Sequence, residues 1–192
     1  MKTIVLASAN KGKIREIAEM LPDFKVVGYK QLGLDFEIEE NGKTFYENAL
    51  IKAKAVSEAL SLPALADDSG LEVDGLNGAP GIYSARYSSS GLDKDNNDLL
   101  LKNLEGKDRN ARFVCCMVYY YKGKIVSSFG QTEGEILYSE QGENGFGYDP
   151  LFYSKDLKKC LGVATDQEKN SISHRSRALK EIIEKLKTEG VL

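Results

Sequence analysis

The chain has 192 residues, of which 42% are hydrophobic and 29% charged, and its formal net charge is −3. This composition excludes the intrinsically disordered class and predicts one domain over residues 1–192. The chain also lacks the basic footprint that binds nucleic acid, so no nucleic-acid partner is expected. The apolar stretch at residues 3–7 is too short for a signal peptide or a membrane span, which predicts a cytoplasmic protein with no membrane partner.

The first half of the chain alternates predicted strands and helices. Residues 3–7 predict a buried strand, and a helix is expected from about Lys11 until Pro22 ends it. A second helix should begin at Thr44, because residues 44–47 have the form of a capping box. A short strand at 64–66 is then expected to end in the sequence Asp-Asp-Ser-Gly.

The second half predicts a helix at 94–104 and two long strands at 112–121 and 125–132 that form a hairpin. A final helix is expected from about Ser171, with its buried side formed by Leu179, Ile182, Ile183 and Leu186. Crossovers and hairpins are therefore mixed along the chain. This order predicts an α/β or α+β fold around a mixed, strongly bent sheet.

The loop between the first strand and the first helix has the composition of a phosphate-binding loop. A helix N-terminus carries unpaired N–H groups, Gly12 permits close backbone approach, and Lys13 adds a positive charge. The loop lacks the spacing of a Walker motif. The alternative is that Asn10 only caps the helix and Lys13 is solvated. The loop consists of Ser8, Ala9, Asn10, Lys11, Gly12 and Lys13.

Acidic residues lie on both sides of the second predicted helix. Glu37, Glu39 and Glu40 precede it, and Asp67 and Asp68 follow the short strand. Magnesium prefers a few carboxylate oxygens together with water and phosphate oxygens, so two acids from separate segments suffice for a triphosphate site. A solvated charged surface is the favoured interpretation of Glu37 and Glu39, and the paired aspartates could instead begin a turn.

Two later segments could contact a nucleotide base. The turn at residues 144–150 has two glycines that allow close backbone approach, an aromatic ring for stacking and an aspartate held before a proline. The alternative is a tight turn with an aromatic residue in the core. His174 and Arg175 offer adjacent donors for an acceptor, or they form an ordinary surface pair.

Taken together and in this order, these segments resemble the inosine triphosphate pyrophosphatase family, also called the Ham1-like or non-canonical purine nucleoside triphosphate pyrophosphatases. The resemblance spans nearly the whole chain, and no motif position departs from the family pattern. The motifs are SANKGK at 8–13, TFYENA at 44–49, ADDSGL at 66–71, GAPGIYSAR at 78–86, GFGYDP at 145–150 and SHR at 173–175.

The resemblance implies hydrolysis of dITP, ITP or XTP to the monophosphate and pyrophosphate, by attack of a metal-activated water on the α-phosphorus. It implies a long, bent mixed sheet flanked by helices, with the active-site cleft between two lobes, and a homodimer. It places Mg²⁺ on Glu40 and Asp68, with Asp68 as the catalytic proton acceptor, and the phosphates on residues 8–13 and Lys169. The other implied substrate contacts are Ser69, Phe146, Gly147, Tyr148, Asp149, His174 and Arg175.

Two alternatives to this function remain at the level of the sequence. One is a Maf-like pyrophosphatase that acts on other modified or pyrimidine nucleotides, which a substrate panel would distinguish. The other is a non-catalytic sensor of purine nucleotides, which would lack one of the metal acids.

Donors directed at the 6-oxo group of hypoxanthine or xanthine would reject adenine, because its 6-amino group would leave those donors unpaired.

Overall fold

A computed structural model describes residues 2–192 and contains a seven-stranded sheet flanked by helices. The strands are β1 (Lys2–Leu6), β2 (Phe24–Gly28), β3 (Ala64–Val73), β4 (Asn110–Tyr121), β5 (Lys124–Ile136), β6 (Phe152–Ser154) and β7 (Lys159–Cys160). The α-helices are α1 (Lys11–Met20), α2 (Phe45–Leu60), α3 (Asp93–Asn103), α4 (Asp166–Ile172) and α5 (His174–Thr188).

The sheet has the order β2-β1-β3-β4-β5-β6-β7. Strand β1 pairs in parallel with both β2 and β3, whereas β6 pairs in antiparallel fashion with β5 and β7. Parallel pairs need crossover helices, and α1 and α2 supply them in the first half of the chain. The sheet is therefore mixed, and the predicted mixed α/β class is confirmed.

The chain forms two compact units. The first consists of the segment ending at Asp68 together with Cys115–Gly130 and Arg175–Leu192, and the second consists of Ser69–Val114 and Gln131–His174. The boundaries between the units fall within β3, β4 and β5 and directly after the first residue of α5. One domain over residues 1–192 stays a prediction.

Each unit has its own apolar core. In the first unit, Ile17 of α1 and Leu179 and Ile182 of α5 pack with Leu6 and Met117. The predicted buried side of the last helix is confirmed, because Leu179, Ile182, Ile183 and Leu186 are all buried. In the second unit, residues from β3, α3, β4 and β6 share a core that includes Leu71, Leu100, Phe113 and Phe152.

Several predicted elements have different bounds in the structure, and two of these differences concern residues of the predicted site. Strand β3 continues through Asp67 and Asp68 to Val73 instead of ending at Ala66, because cationic side chains neutralise both buried aspartates. The last helix begins at His174 instead of Ser171, because Ser173 has an extended backbone (φ −66°, ψ 152°) that separates α4 from α5.

Two local predictions are confirmed and one is only half correct. Helix α1 begins at Lys11, and Lys122 and Gly123 form the turn of the predicted hairpin between β4 and β5. Thr44 caps α2 by accepting from the Glu47 N–H, but the Glu47 carboxylate accepts from the Lys43 N–H and not from Thr44.

Within residues 2–192, no helix combines the length and the hydropathy that a membrane span requires.

Candidate active site

The predicted phosphate-binding loop lies in the first unit, where it leads into α1. The Asn10 side chain accepts from the Lys13 N–H at 3.1 Å, so Asn10 is the helix cap that the alternative interpretation proposed. Lys13 is not simply solvated, because its ammonium nitrogen lies 3.0 Å from Oδ2 of Asp67 and its side chain is only 15% exposed. The loop therefore brings a positive charge and the N-terminus of a ten-residue helix to β3.

Asp67 is buried between two cationic side chains. Besides the Lys13 ammonium, it pairs with the guanidinium of Arg175, which also pairs with Glu16 of α1. Burial alone would raise the pKa of Asp67, but the charges of Lys13, Arg175 and Lys52 together hold it well below its usual range. Asp67 is therefore an ionised structural carboxylate, fixed within a charge network.

Asp68 is paired with a different lysine. The ammonium of Lys52, on α2, lies 3.0 Å from Oδ1 of Asp68 and 2.8 Å from Oε2 of Glu40. The Asn48 amide also donates to Asp68 at 3.3 Å. The two predicted metal acids, which are far apart in sequence, are thus joined by one ammonium group.

The strand pleat explains why adjacent aspartates have different partners. Successive side chains of a β-strand point to opposite faces of the sheet. Asp67 accordingly pairs with residues of α1 and α5, whereas Asp68 pairs with residues of α2. Asp68 and Glu40 pair with the same ammonium, that of Lys52, so the structure distinguishes two acids that are equivalent in the sequence.

Burial gives Asp68 a raised pKa. The loss of hydration is the largest cause and the negative charge of Glu40 adds to it, while the attractions of Lys52 and Lys13 act in the opposite direction. Burial lowers the pKa of Lys52, but the attractions of Asp68, Asp67 and Glu40 outweigh that effect and raise it. A carboxylate with a raised pKa is suited to accept a proton near neutral pH.

Glu40 and Asp68 fit a magnesium ion by the chemistry of their donors. Mg²⁺ takes hard oxygen ligands and is usually held by one or two carboxylates, with water and substrate phosphates filling the other positions. The two carboxylates already share a single cationic group, the Lys52 ammonium. The described residues contain no group of three or more acidic, His or Cys side chains placed to hold a metal, so a two-carboxylate site is the arrangement this part of the chain offers.

Sequence reasoning did not identify Lys52 or Asn48 as site residues. Both lie on the face of α2 that Phe45, Ala49 and Ala53 bury, and both are buried themselves. A charged or amide side chain within a predicted apolar helix face was the available signal. Glu37, by contrast, has a side chain that is 86% exposed and pairs with Lys30, as expected of a solvated surface.

The predicted base-contacting turn lies in the second unit. The Asp149 carboxylate accepts from the Phe146 N–H at 2.8 Å and pairs with the buried ammonium of Lys169 at 2.6 Å. That ammonium lies 4.6 Å from the centroid of the Phe146 ring. Lys169 therefore belongs to the same cluster as this turn, and its predicted contact with phosphate stays a prediction.

The two aromatic residues of the turn have different environments. Tyr148 is buried in the core of the second unit and its hydroxyl donates to the Ser84 carbonyl at 2.7 Å, as the core-aromatic alternative proposed. Phe146 remains half-buried. Of the two rings, Phe146 is therefore the more accessible, and its contact with a base stays a prediction.

The remaining predicted contacts are mostly buried. The His174 ring stacks on Phe113 with centroids 5.0 Å apart, and Arg175 is 2% exposed within its pairs to Glu16 and Asp67. The surface-pair alternative for these two residues is therefore wrong. Ser69 follows Asp68 in β3 and is half-buried. Contacts of these three residues with a substrate stay predictions.

The family models, the curated proteins and the solved structures that match this chain all point to one family. A family model described as the Ham1 family matches residues 4–185 of the chain. The chain is 45% identical to the dITP/XTP pyrophosphatase of Clostridium perfringens, with 100% of both chains covered, and 48% identical to that of Treponema denticola, covering 92% of this chain and 94% of the relative. The structure of the Staphylococcus aureus Ham1 protein is 43% identical with a TM-score of 0.87, covering 98% of this chain and 100% of the other.

Proposed function

The chain belongs to the Ham1 family, and we propose that it hydrolyses non-canonical purine nucleoside triphosphates, namely dITP, ITP and XTP, to the monophosphate and pyrophosphate. This removes such nucleotides from the pool before they enter DNA or RNA. The observation that carries the proposal is that Glu40 and Asp68 both pair with the Lys52 ammonium. The same unit contains the predicted phosphate-binding loop, in which Asn10 caps α1 through the N–H of Lys13. A non-catalytic sensor would not need both acids.

The proposed reaction is in-line hydrolysis at the α-phosphorus. Asp68 takes a proton from the attacking water, the water oxygen bonds to phosphorus, and the bond to the bridging oxygen of the β-phosphate breaks. The raised pKa of Asp68 makes it a stronger base than an exposed aspartate. Pyrophosphate leaves with the bridging oxygen, and Lys13 and the N–H groups at the start of α1 stabilise its negative charge.

Glu40 and Asp68 would hold the magnesium ion. When bound, such an ion neutralises phosphate charge and acts as a Lewis acid. Lys52 already lies between the two carboxylates, so it balances their charge and fixes their orientation. The protein thereby contributes a preorganised arrangement of charges, the main requirement for phosphoryl transfer.

Base recognition is proposed for the turn of the second unit. The half-buried Phe146 ring would stack on the purine, with Gly147, Tyr148 and Asp149 as neighbouring contacts. His174 and Arg175 are proposed at the base edge as donors to the 6-oxo group, and Ser69 and Lys169 complete the proposed substrate contacts. Adenine carries an amino group at that position and would leave a buried donor unpaired, which supports its rejection.

We also propose a cytoplasmic homodimer, with residues 77–86 in its interface. In this stretch the Tyr83 ring is 56% exposed, with the Arg86 guanidinium 5.4 Å from its centroid. Exposed aromatic and arginine side chains are enriched in interfaces. Sedimentation of the wild type and of Ile82→Asp tests the proposal: a dimeric wild type and a monomeric variant support it, and a monomeric wild type refutes it.

Pyrophosphate release from a panel of nucleotides tests the activity. We expect rapid release from ITP, dITP and XTP with Mg²⁺, slow release from ATP, and none after chelation of the metal. Preference for pyrimidine or other modified triphosphates would favour the Maf-like alternative. Binding of ITP without any release would favour the sensor.

A further inference from the structure

Helix α3 holds the base-side turn at a single residue, Gly147, through the two peptide units on either side of its Cα. The Asp93 carboxylate accepts from the Gly147 N–H at 2.8 Å, and the Asn97 amide donates to the Gly147 carbonyl at 3.2 Å. Asp93 and Asn97 are four residues apart and therefore lie on the same face of α3. The N–H and the C=O of Gly147 are thus both bound by one helix.

The backbone of Gly147 has little support besides these two hydrogen bonds. Gly147 has φ +61°, a left-handed conformation that glycine adopts without steric cost. Apart from Gly147 and its two chain neighbours, no described residue has a heavy atom within 4 Å of the position that a Cβ would occupy there. Since side-chain packing does not support the turn on that side, the contacts with α3 contribute to holding this residue in place.

The residues on either side of Gly147 are held by other elements. Phe146 is fixed by its N–H bond to Asp149 and by the Lys169 ammonium beside its ring, and Tyr148 is fixed through Ser84. Gly147 joins these two anchored residues. A change at α3 would therefore leave the anchors of Phe146 and Tyr148 in place and release the Gly147 backbone between them, which removes one constraint on the shape of the turn.

The burial of the Asn97 side chain is unfavourable for the stability of the fold. It is 2% exposed, and its amide nitrogen also donates to Glu140 at 2.8 Å, which fixes the orientation of the amide. Its amide oxygen has no hydrogen-bond partner among the described residues. A buried amide oxygen without a partner is unfavourable, and the two hydrogen bonds of the amide nitrogen, to Gly147 and to Glu140, are the contacts that offset this cost.

We propose that Asp93 and Asn97 are positioning residues that hold the Phe146–Tyr148 turn in the shape that selects the purine base. The proposal rests on the proposed function, in which this turn contacts the base. The two residues need not touch the substrate themselves. They act through the Gly147 peptide, and their contribution is to base selectivity and binding of the nucleoside part, not to binding of phosphate.

The test compares Asp93→Ala with Asp93→Asn, Asn97→Ala and the control Asp98→Ala. The asparagine at position 93 retains an acceptor for the Gly147 N–H, and Asp98 is an exposed residue of α3 that pairs with Lys94. We expect Asp93→Ala and Asn97→Ala to raise KM for ITP and to reduce the ratio of ITP to ATP turnover about tenfold, which is the scale of the loss of one hydrogen bond. Asp93→Asn should retain most of the selectivity, and Asp98→Ala should behave as wild type.

Calorimetric binding of IMP and of inorganic pyrophosphate separates positioning from a general loss of structure. Both alanine variants should bind IMP about tenfold more weakly and pyrophosphate as tightly as wild type. Unchanged IMP affinity and selectivity in folded variants would overturn the inference, and so would equal weakening of both ligands. If wild-type protein releases no pyrophosphate from ITP, the proposed function fails first, which is a distinguishable result.

Discussion

The ammonium nitrogen of Lys52 lies 3.0 Å from Oδ1 of Asp68, in the interior of the first unit. The same nitrogen lies 2.8 Å from Glu40, so one helical lysine fixes the spacing of two acids that the sequence separates. Removing one partner of a buried ion pair leaves an uncompensated charge, which makes each member of this group sensitive to substitution.

Replacing Asp68 with Asn should abolish turnover while ITP still binds, because the amide keeps the size of the side chain but cannot accept the proton of water. We expect kcat to fall at least about a thousandfold, within the range that loss of general-base catalysis accounts for. Pyrophosphate release and calorimetric ITP binding are the measurements. The exposed Asp23→Asn is the control, and near wild-type turnover of purified Asp68→Asn would remove the catalytic role.

Replacing Glu40 with Gln should raise the Mg²⁺ concentration needed for half-maximal activity by about tenfold or more, since metal affinity falls when a charged oxygen ligand is lost. A magnesium titration at saturating ITP measures the shift. The neighbouring Glu39 is exposed, so Glu39→Gln provides a matched control. Equal magnesium requirements for Glu40→Gln and Glu39→Gln would contradict the metal assignment.

Replacing Lys52 with Met leaves Glu40 and Asp68 without their shared counter-charge. We expect a loss of about 3 kcal/mol in the free energy of unfolding without metal, partly restored by MgCl₂ because the cation replaces the missing charge. The magnesium-induced rise in Tm should therefore be larger than in wild type. Lys54→Met, which removes a lysine with 56% side-chain exposure from the same helix, is the control. A Tm of Lys52→Met that does not respond to magnesium would argue against a metal at these carboxylates.

Replacing Asp67 with Asn should affect stability in a pH-dependent way. The folded protein lowers the pKa of Asp67, so its ionised form stabilises the fold at pH values above its unfolded pKa of about 3.8. This contribution is lost as the pH falls through the folded value. The difference in unfolding free energy between wild type and Asp67→Asn should be about 3–5 kcal/mol near pH 6 and shrink below pH of about 3.8. Urea unfolding across this range checks the trend, and a difference that grows toward acid would refute it.

Replacing Arg175 with Lys tests the proposed base contact without leaving Glu16 and Asp67 unpaired. Lysine keeps the charge but lacks the planar fork of donors. If Arg175 recognises the 6-oxo group, the ratio of ITP to ATP turnover should fall about tenfold, as the loss of a hydrogen bond to a charged donor predicts. The exposed Arg177→Lys is the control. An unchanged ratio in a folded Arg175→Lys protein would assign Arg175 to structure alone.

Local sequence rules predicted those features that depend on neighbouring residues. The Asn10 cap, the start of α1, the hairpin at Lys122 and Gly123 and the buried face of α5 all arise from short-range hydrogen bonds or helical periodicity. The resemblance of the ordered motifs also identified the family correctly. The local rules placed the end of β3 wrongly, because the length of this strand depends on ion pairs with residues that are distant in the sequence.

The sequence by itself determined the fold class, the family and the set of polar residues from which a site could be built. The sequence did not specify that Asp68 pairs with the same cation as Glu40, that Lys52 supplies this cation, or that Asp93 and Asn97 of α3 bind the Gly147 backbone, because these are tertiary contacts. The physical reason is that an ion pair forms when two charges meet in space at about 3 Å with little water between them. Separation along the chain, which is all that a sequence records, does not specify that distance.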